Sequence, residues 1–303
     1  MTLRLATRGS KLALAQARSV GELLGGAELI EASSDGEPGD KSRFVRAVEH
    51  ELLEGRAQIG VHSAKDLPAA LPEGLTIAGV PAREPAADAW VGRGGSLDEV
   101  PAGSRVGTSS LRRRAQLLAA RPDLEVTDLH GNVDTRLRRL SEGEVDAIVL
   151  AAAGLRRLGR EDEISFLLDP QQVTPAAGQG ALALQAREDD GEARQAAAAL
   201  SDEAALAELT AERAAVAALD ASCNTPIGIH ARRDGERIGI EGFAGLPDGS
   251  EWVRDRLDGD AGNPAALGKE LAQRMIAAGA ADILERAETR ATRNEQRGTR
   301  QPQ

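Results

Sequence analysis

The stretch Gln58-Ile59-Gly60-Val61-His62-Ser63-Ala64-Lys65-Asp66-Leu67-Pro68 decides how the chain folds. Gln58–His62 is a short apolar, β-branched run and reads as a strand. It runs without a turn into a polar group carrying Lys65 and Asp66. Before it, Ser42 opens a helical pattern whose apolar face carries Phe44, Val45, Val48, Leu52 and Leu53, ended by Gly55. Earlier still come a polar Gly/Pro-rich loop over Ser33–Arg43 and a strand over Ala27–Ala32. A helix capped by Ser10 precedes them, with Leu12, Val20, Leu23 and Leu24, stopped by Gly25-Gly26, and Leu3–Thr7 is the first strand. This β-α-β-α-β rhythm predicts a mostly parallel α/β sheet. Ligands of such sheets bind beyond the carboxyl ends of the strands. Arg8 and Lys65-Asp66 both fall at such ends.

The same style repeats downstream. Pro81–Pro85 reads as a crossover and Asp88–Val91 as the start of a second unit. Arg105–Gly107 is a strand, and Thr108-Ser109-Ser110 caps a helix carrying Leu111, Ala115 and Leu118. Glu125–Leu129 is a strand, His130–Asp134 leads into a helix with Leu137 and Leu140, and Val145–Ala151 is a strand. Thr174–Gly180 is a Pro/Gly segment, after which Ala181–Arg187 is expected to return to the first domain. Ser201 opens a long helix through Leu206, Leu209, Val216 and Leu219. Three strands follow, over Ile227–Arg232, Arg237–Ala244 and Glu251–Leu257, joined at Asp234-Gly235 and Pro247-Asp248-Gly249. Asn263-Pro264 starts a final helix. Ala287–Gln303 lacks apolar periodicity and is expected to be a disordered tail. The expectation is therefore two α/β domains, 1–80 with 181–198 and 86–174, and a small α+β domain over 203–286 with a three-stranded antiparallel sheet.

Net charge is −11, which disfavours nonspecific binding to nucleic acid or to an acidic membrane. No apolar run is long enough to span a bilayer. The start Met1-Thr2-Leu3-Arg4-Leu5-Ala6 reads as strand and not as a signal peptide. One cysteine and no export signal fit a reducing cytoplasm. Four lysines against many arginines, in an acidic Ala-rich chain, suggest a salt-loving source or a GC-rich coding sequence in equal measure.

The arginines carry the chemical signal. Arg112, Arg113 and Arg114 crowd the start of a helix, where the macrodipole disfavours cations. Arg8 and Lys11 flank another helix start, and Arg136, Arg156 and Arg157 follow strand ends. Arg114 and Arg156 are read as ordinary ion-paired surface residues. The group as a whole suits an anion, because guanidinium forks match carboxylates and phosphates. No Walker-type run and no G-x-G-x-x-G occurs, so a polycarboxylate is favoured over a nucleotide. Asp66 is the one acid among these cations. The four histidines are not at metal-ligand spacings, and Cys223 has no Cys partner, so no metal is expected. The lone Cys223, in Ala221-Ser222-Cys223-Asn224-Thr225-Pro226, is either a small buried hydrophobe or a unique nucleophile.

These residues resemble one family, the porphobilinogen deaminases (hydroxymethylbilane synthases) of tetrapyrrole biosynthesis. The likeness runs from Leu3 to about Leu284. Its marks are Ala6–Ser10, Val61–Pro68, Val106–Arg113, Gly131–Leu137, Ala153–Gly159, Pro175–Gly180 and Cys223–Gly228. The resemblance implies two periplasmic-binding-protein-like domains flanking a cleft and a third domain presenting the cysteine. It implies a transferase that deaminates four porphobilinogen molecules. They add in turn to a dipyrromethane cofactor, held by a thioether at the position of Cys223, and water releases hydroxymethylbilane. Asp66 matches the catalytic carboxylate. Lys65, Ser63, Thr108, Ser109, Ser110, Arg112, Arg113, Gly131 and Asn132 match cofactor-binding positions. Arg8, Ser10, Arg136, Arg157, Gln179, His130 and Lys41 match substrate-binding positions, and Phe44 follows the family's cleft loop. His130 departs from the usual Arg before Gly-Asn-Val, the Ser33–Arg43 loop is shorter than the family's, and Ser33-Ser34-Asp35-Gly36-Glu37 stands where the family has a Thr-Arg-Gly-Asp-like stretch. The implied protein is a cytoplasmic monomer with a small-molecule substrate and neither nucleic acid nor membrane as partner. The competing reading is a non-catalytic binding protein for a small anion, with Cys223 structural.

Overall fold

The first parallel sheet forms where apolar β-branched runs alternate with amphipathic helices. In the computed structural model, which describes residues 2–33, 42–221 and 225–298, β1 (Leu3–Arg8), α1 (Lys11–Leu23), β2 (Ala27–Ala32), α2 (Ser42–Leu53) and β3 (Ile59–Ser63) follow in order. Ser10 caps α1 by accepting from Ala13 N at 3.3 Å. Val45, Val48 and Leu52 of α2 are buried, whereas Leu53, expected on the same face, is half exposed. β1 pairs in parallel with β2 and β3. A strand not anticipated, β4 (Leu75–Gly79), completes this sheet at one edge.

The chain then crosses over and builds a second sheet of the same plan. β5 (Asp88–Gly92), β6 (Arg105–Gly107), α3 (Leu111–Ala120), β7 (Glu125–Thr127), α4 (Val133–Ser141), β8 (Ala147–Ala151), α5 (Ala152–Arg157) and the two-residue β9 (Phe166–Leu167) follow. It crosses back through β10 (Leu182–Arg187). The strand orders are β2-β1-β3-β10-β4 and β7-β6-β8-β5-β9. In each sheet the strand that follows a crossover, β10 or β5, inserts antiparallel beside three parallel strands. Two crossovers therefore tie the sheets together and leave a cleft at the carboxyl ends of both.

The crossover segments touch. Glu84 N donates to Gly180 O at 3.3 Å. Gly180 has φ +87°, and a Cβ there would strike the Glu84 carbonyl, so only glycine fits. Gly178 (φ +72°) packs as closely on the Ala64–Lys65 backbone.

A short helix α6 (Gly191–Ala198) precedes α7 (Glu203–Ala218). Asp202, not Ser201, caps α7, accepting from Ala205 N at 2.8 Å, while Ser201 Oγ accepts from Val80 N at 3.1 Å. The third sheet is antiparallel: β11 (Ile227–Asp234), β12 (Arg237–Gly245) and β13 (Trp252–Asp260). It packs with α7 and α8 (Pro264–Ala277) around Ala211, Ala215, Ile229, Ile240, Leu271 and Met275. The helix α9 runs over Ala280–Gly298, so the described part of the stretch after Ala287, where the sequence predicts a disordered tail, is helical. Ile283 and Ala287, four residues apart on one face, bury against Leu246 and Val253. Arg286 adds a fork on Glu251 at 2.7 and 2.8 Å. Among the described residues no helix is long and apolar enough to cross a membrane. Lys41 and Cys223 lie outside the described residues.

Candidate active site

Strand ends and helix starts from both sheets converge on a cleft of about 650 Å³. β1 delivers Arg8 and Ser10, β3 delivers Ser63–Asp66, β6 leads to Ser109, Ser110, Arg112 and Arg113, and the start of α4 brings Gly131, Asn132 and Arg136. Arg157 follows β8, and Gln179 comes from the second crossover. Two of the expected residues do not line the cleft. Thr108 is buried and accepts from Ser110 N at 3.2 Å, shaping the cap of α3. His130 is exposed. Gly131, with φ +121°, turns the chain so tightly that a Cβ would meet Thr135 at 2.8 Å. Asn132 then caps α4, accepting from Thr135 N at 2.9 Å.

Asp66 sits on a single 3-10 turn, Ala64–Asp66, that continues β3. Its Oδ2 lies 3.4 Å from Arg8 Nη1, and Arg8 stacks over the Phe44 ring at 4.1 Å. Gln16 of α1, buried and not anticipated, donates to Ser63 Oγ at 3.0 Å. His62, behind the turn, is pushed down to about 4 by burial, so it is neutral at ordinary pH.

The cations divide into two kinds. Arg112 and Arg113 are buried and share one buried carboxylate, Asp88, at 2.8 and 2.7 Å. Arg113 Nε adds 3.1 Å to Asp88 Oδ1. Gln179 Nε2 donates to the same oxygen at 2.8 Å. Burial would raise Asp88, but Arg112 and Arg113 outweigh it and hold it well below the usual carboxylate range. Both arginines also donate to backbone, Arg112 to Thr174 O at 2.7 Å and Arg113 to Val149 O at 2.9 Å. They are wall pieces with part of each fork already engaged. Asp88 was missed because nothing local marks the first residue of a strand as a counter-ion.

Lys65, Arg136 and Arg157 have no carboxylate ion pair among the described residues. Arg136 donates to Ser109 Oγ at 3.2 Å and Arg157 to Gly180 O at 2.7 Å. Burial, then the neighbouring Arg113, bring Lys65 down to about 8 and Arg136 to about 10. Burial also lowers Arg157. These charges are partly desolvated and unmatched, which suits an incoming anion. Lys11, at the mouth, pairs with Asp134 at 3.0 Å. Arg114 and Arg156 pair with Asp128 and Glu161, as the sequence suggested.

A buried hub lies below the cleft. Glu212 of α7 accepts from Gly178 N at 2.6 Å, Ala231 N at 2.8 Å and Arg83 Nη1 at 2.9 Å. It joins both crossovers to the third sheet. Among the described residues no cluster suits a metal ion.

The comparisons with known proteins agree with this geometry. Residues 3–195 match the family model "Porphobilinogen deaminase, dipyromethane cofactor binding domain" and residues 206–277 match "Porphobilinogen deaminase, C-terminal domain". The porphobilinogen deaminase of Roseiflexus castenholzii is 44% identical over 299 residues, covering 93% of this chain and 98% of that protein. That of Deinococcus radiodurans is 43% identical over 303 residues, covering 94% and 98%. Among solved structures, a TRAP periplasmic solute binding protein from Desulfovibrio salexigens has a TM-score of 0.40 at 12% identity, covering 66% of this chain and 72% of that one. That likeness is too slight to argue from, whereas the family matches span both sheets and the C-terminal unit: the chain belongs to the porphobilinogen deaminase family.

Proposed function

We propose that this protein condenses porphobilinogen head to tail, with loss of ammonia, on a dipyrromethane primer held by Cys223, and releases hydroxymethylbilane. The observation that carries this is one half-exposed carboxylate, Asp66, set in a cleft whose Lys65, Arg136 and Arg157 carry no carboxylate of their own. Orphaned groups fit the pyrrole chemistry. The buried Nε of Arg8 and of Arg136 and the buried Oε1 of Gln179 have no hydrogen-bond partner. Two donors for carboxylates and one acceptor for a pyrrole N–H are the set that a polycarboxylate pyrrole requires.

When bound, the dipyrromethane supplies a nucleophilic pyrrole α-carbon and a covalent tether. The chain's own residues do the rest. Lys65, Arg136 and Arg157 bind acetate and propionate groups of porphobilinogen and fix its orientation. Asp66 accepts pyrrole N–H hydrogen bonds and stabilises the positive charge that develops at the substrate methylene as ammonia departs. Arg8, 3.4 Å away, holds that carboxylate toward the cleft. Asp66 then takes the surplus proton from the newly bonded carbon. Asp88 keeps Arg112 and Arg113 aligned before any ligand arrives.

The test is incubation of the purified protein with porphobilinogen, reading ammonia and linear tetrapyrrole together. Stoichiometric release of both supports the proposal. Binding of porphobilinogen without ammonia release would leave only an anion-binding protein. The small-molecule partner, monomeric state and cytoplasmic setting belong to this same proposal.

A further inference from the structure

Arg213 is a further cation without a carboxylate ion pair among the described residues, and it comes from the third domain. It lies in the second half of α7, the helix that leads to residues 222–224. Its Nη2 donates to Pro68 O and Ala69 O, each at 2.9 Å. That engages both protons of one nitrogen and clamps the turn just after Asp66 onto α7. The Nη1 and Nε protons point to no carboxylate among the described residues, and Arg213 lines the cleft with Val216, Ala221 and Thr225. Burial lowers its pKa with no opposing charge to raise it. The most deeply buried arginines have carboxylates, Asp88 for Arg112 and Arg113, Glu208 and Glu212 for Arg83, whereas the partly buried Arg136, Arg157 and Arg213 have none among the described residues. Arg213 is thus a partly buried charge that an arriving anion would satisfy.

We propose that Arg213 binds a carboxylate of the pyrrole ligand and, through its clamp on Pro68 and Ala69, sets the distance between Asp66 and the helix that carries the cysteine loop. This rests on the function proposed above. Its place on the third domain distinguishes it from the other cleft cations, which come from the strand ends and helix starts of the two α/β sheets.

The experiment measures porphobilinogen binding by calorimetry in an Asp66→Asn background, which blocks turnover, with Arg213 intact or replaced by Met or Lys. Intact mass first establishes that each protein carries the same adduct. The proposal predicts affinity roughly tenfold weaker with Arg213→Met, partly recovered with Arg213→Lys, at melting temperatures within a few degrees of each other. Equal affinity in all three overturns the proposal and leaves the family function standing. Weaker binding that tracks a large fall in melting temperature, with no recovery by Lys, also overturns it, because it shows a structural clamp alone. If the parent protein, with Asp66 and Arg213 both intact, neither binds nor turns over porphobilinogen, the proposed function itself fails and takes this inference with it.

Discussion

Asp66 Oδ2 and Arg8 Nη1 stand 3.4 Å apart at the ends of two adjacent parallel strands, with side chains 43% and 34% exposed. A pair so exposed contributes little to stability, on the order of 1 kcal/mol or less. It is therefore free to serve chemistry. Asp66→Asn should lower kcat by at least about a hundredfold with a melting temperature close to that of the parent. Turnover within threefold of the parent would remove Asp66 from the mechanism.

Asp88 is the opposite case. It is buried and is the carboxylate that Arg112 and Arg113 share. Asp88→Ala leaves two buried cations uncompensated and should cost about 3–5 kcal/mol in urea unfolding. Its pKa is depressed by folding, so its contribution is present above the unfolded carboxylate value near about 4. As pH falls below that value the unfolded chain takes up the proton first, and the contribution declines. An unchanged urea midpoint for Asp88→Ala at neutral pH would contradict this.

Lys65 has a pKa of about 8 in the unliganded cleft. As pH rises through that value it loses its charge, and its grip on a substrate carboxylate goes with it. kcat/KM should fall on this alkaline limb, chiefly through KM. Lys65→Arg, which stays charged, should flatten the limb. Persistence of the same limb in that variant assigns it to another group.

The Arg83–Glu212 hub predicts a mechanical effect. Glu212 holds Gly178, Ala231 and Arg83 at once. Glu212→Ala leaves Arg83 with Glu208 as its remaining carboxylate, strands two buried amides and should destabilise by several kcal/mol, measured by thermal and urea unfolding. A variant as stable as the parent would show that the hub does not hold the crossovers to the third sheet.

Much of this was legible because it is local. Ser10, Ser110 and Asn132 each accept from a backbone N–H three residues on, and such caps announce themselves in sequence. So does the arrival of Arg8 and Asp66 at strand ends. What stayed hidden depends on distant partners. Arg112 and Arg113 read as free forks because Asp88, their counter-ion, is remote in sequence and sits at an ordinary strand start. β4 and the buried face of α9 were missed for a related reason. Ile77 of β4 and Ala287 of α9 are ordinary residues whose burial comes from packing on other elements. His130 shows the reverse: a family position suggested a ligand contact, and the turn at Gly131 leaves the imidazole exposed.

The central claim is that Cys223 anchors a primer for chemistry performed at Asp66. Intact mass of protein purified from cells that make porphobilinogen tests it directly. The account predicts an added mass equal to two porphobilinogen units less two ammonia molecules, mapped by fragmentation to Cys223 and absent from Cys223→Ser. The bare chain mass in the parent protein, or the same covalent adduct retained in Cys223→Ser, would contradict it.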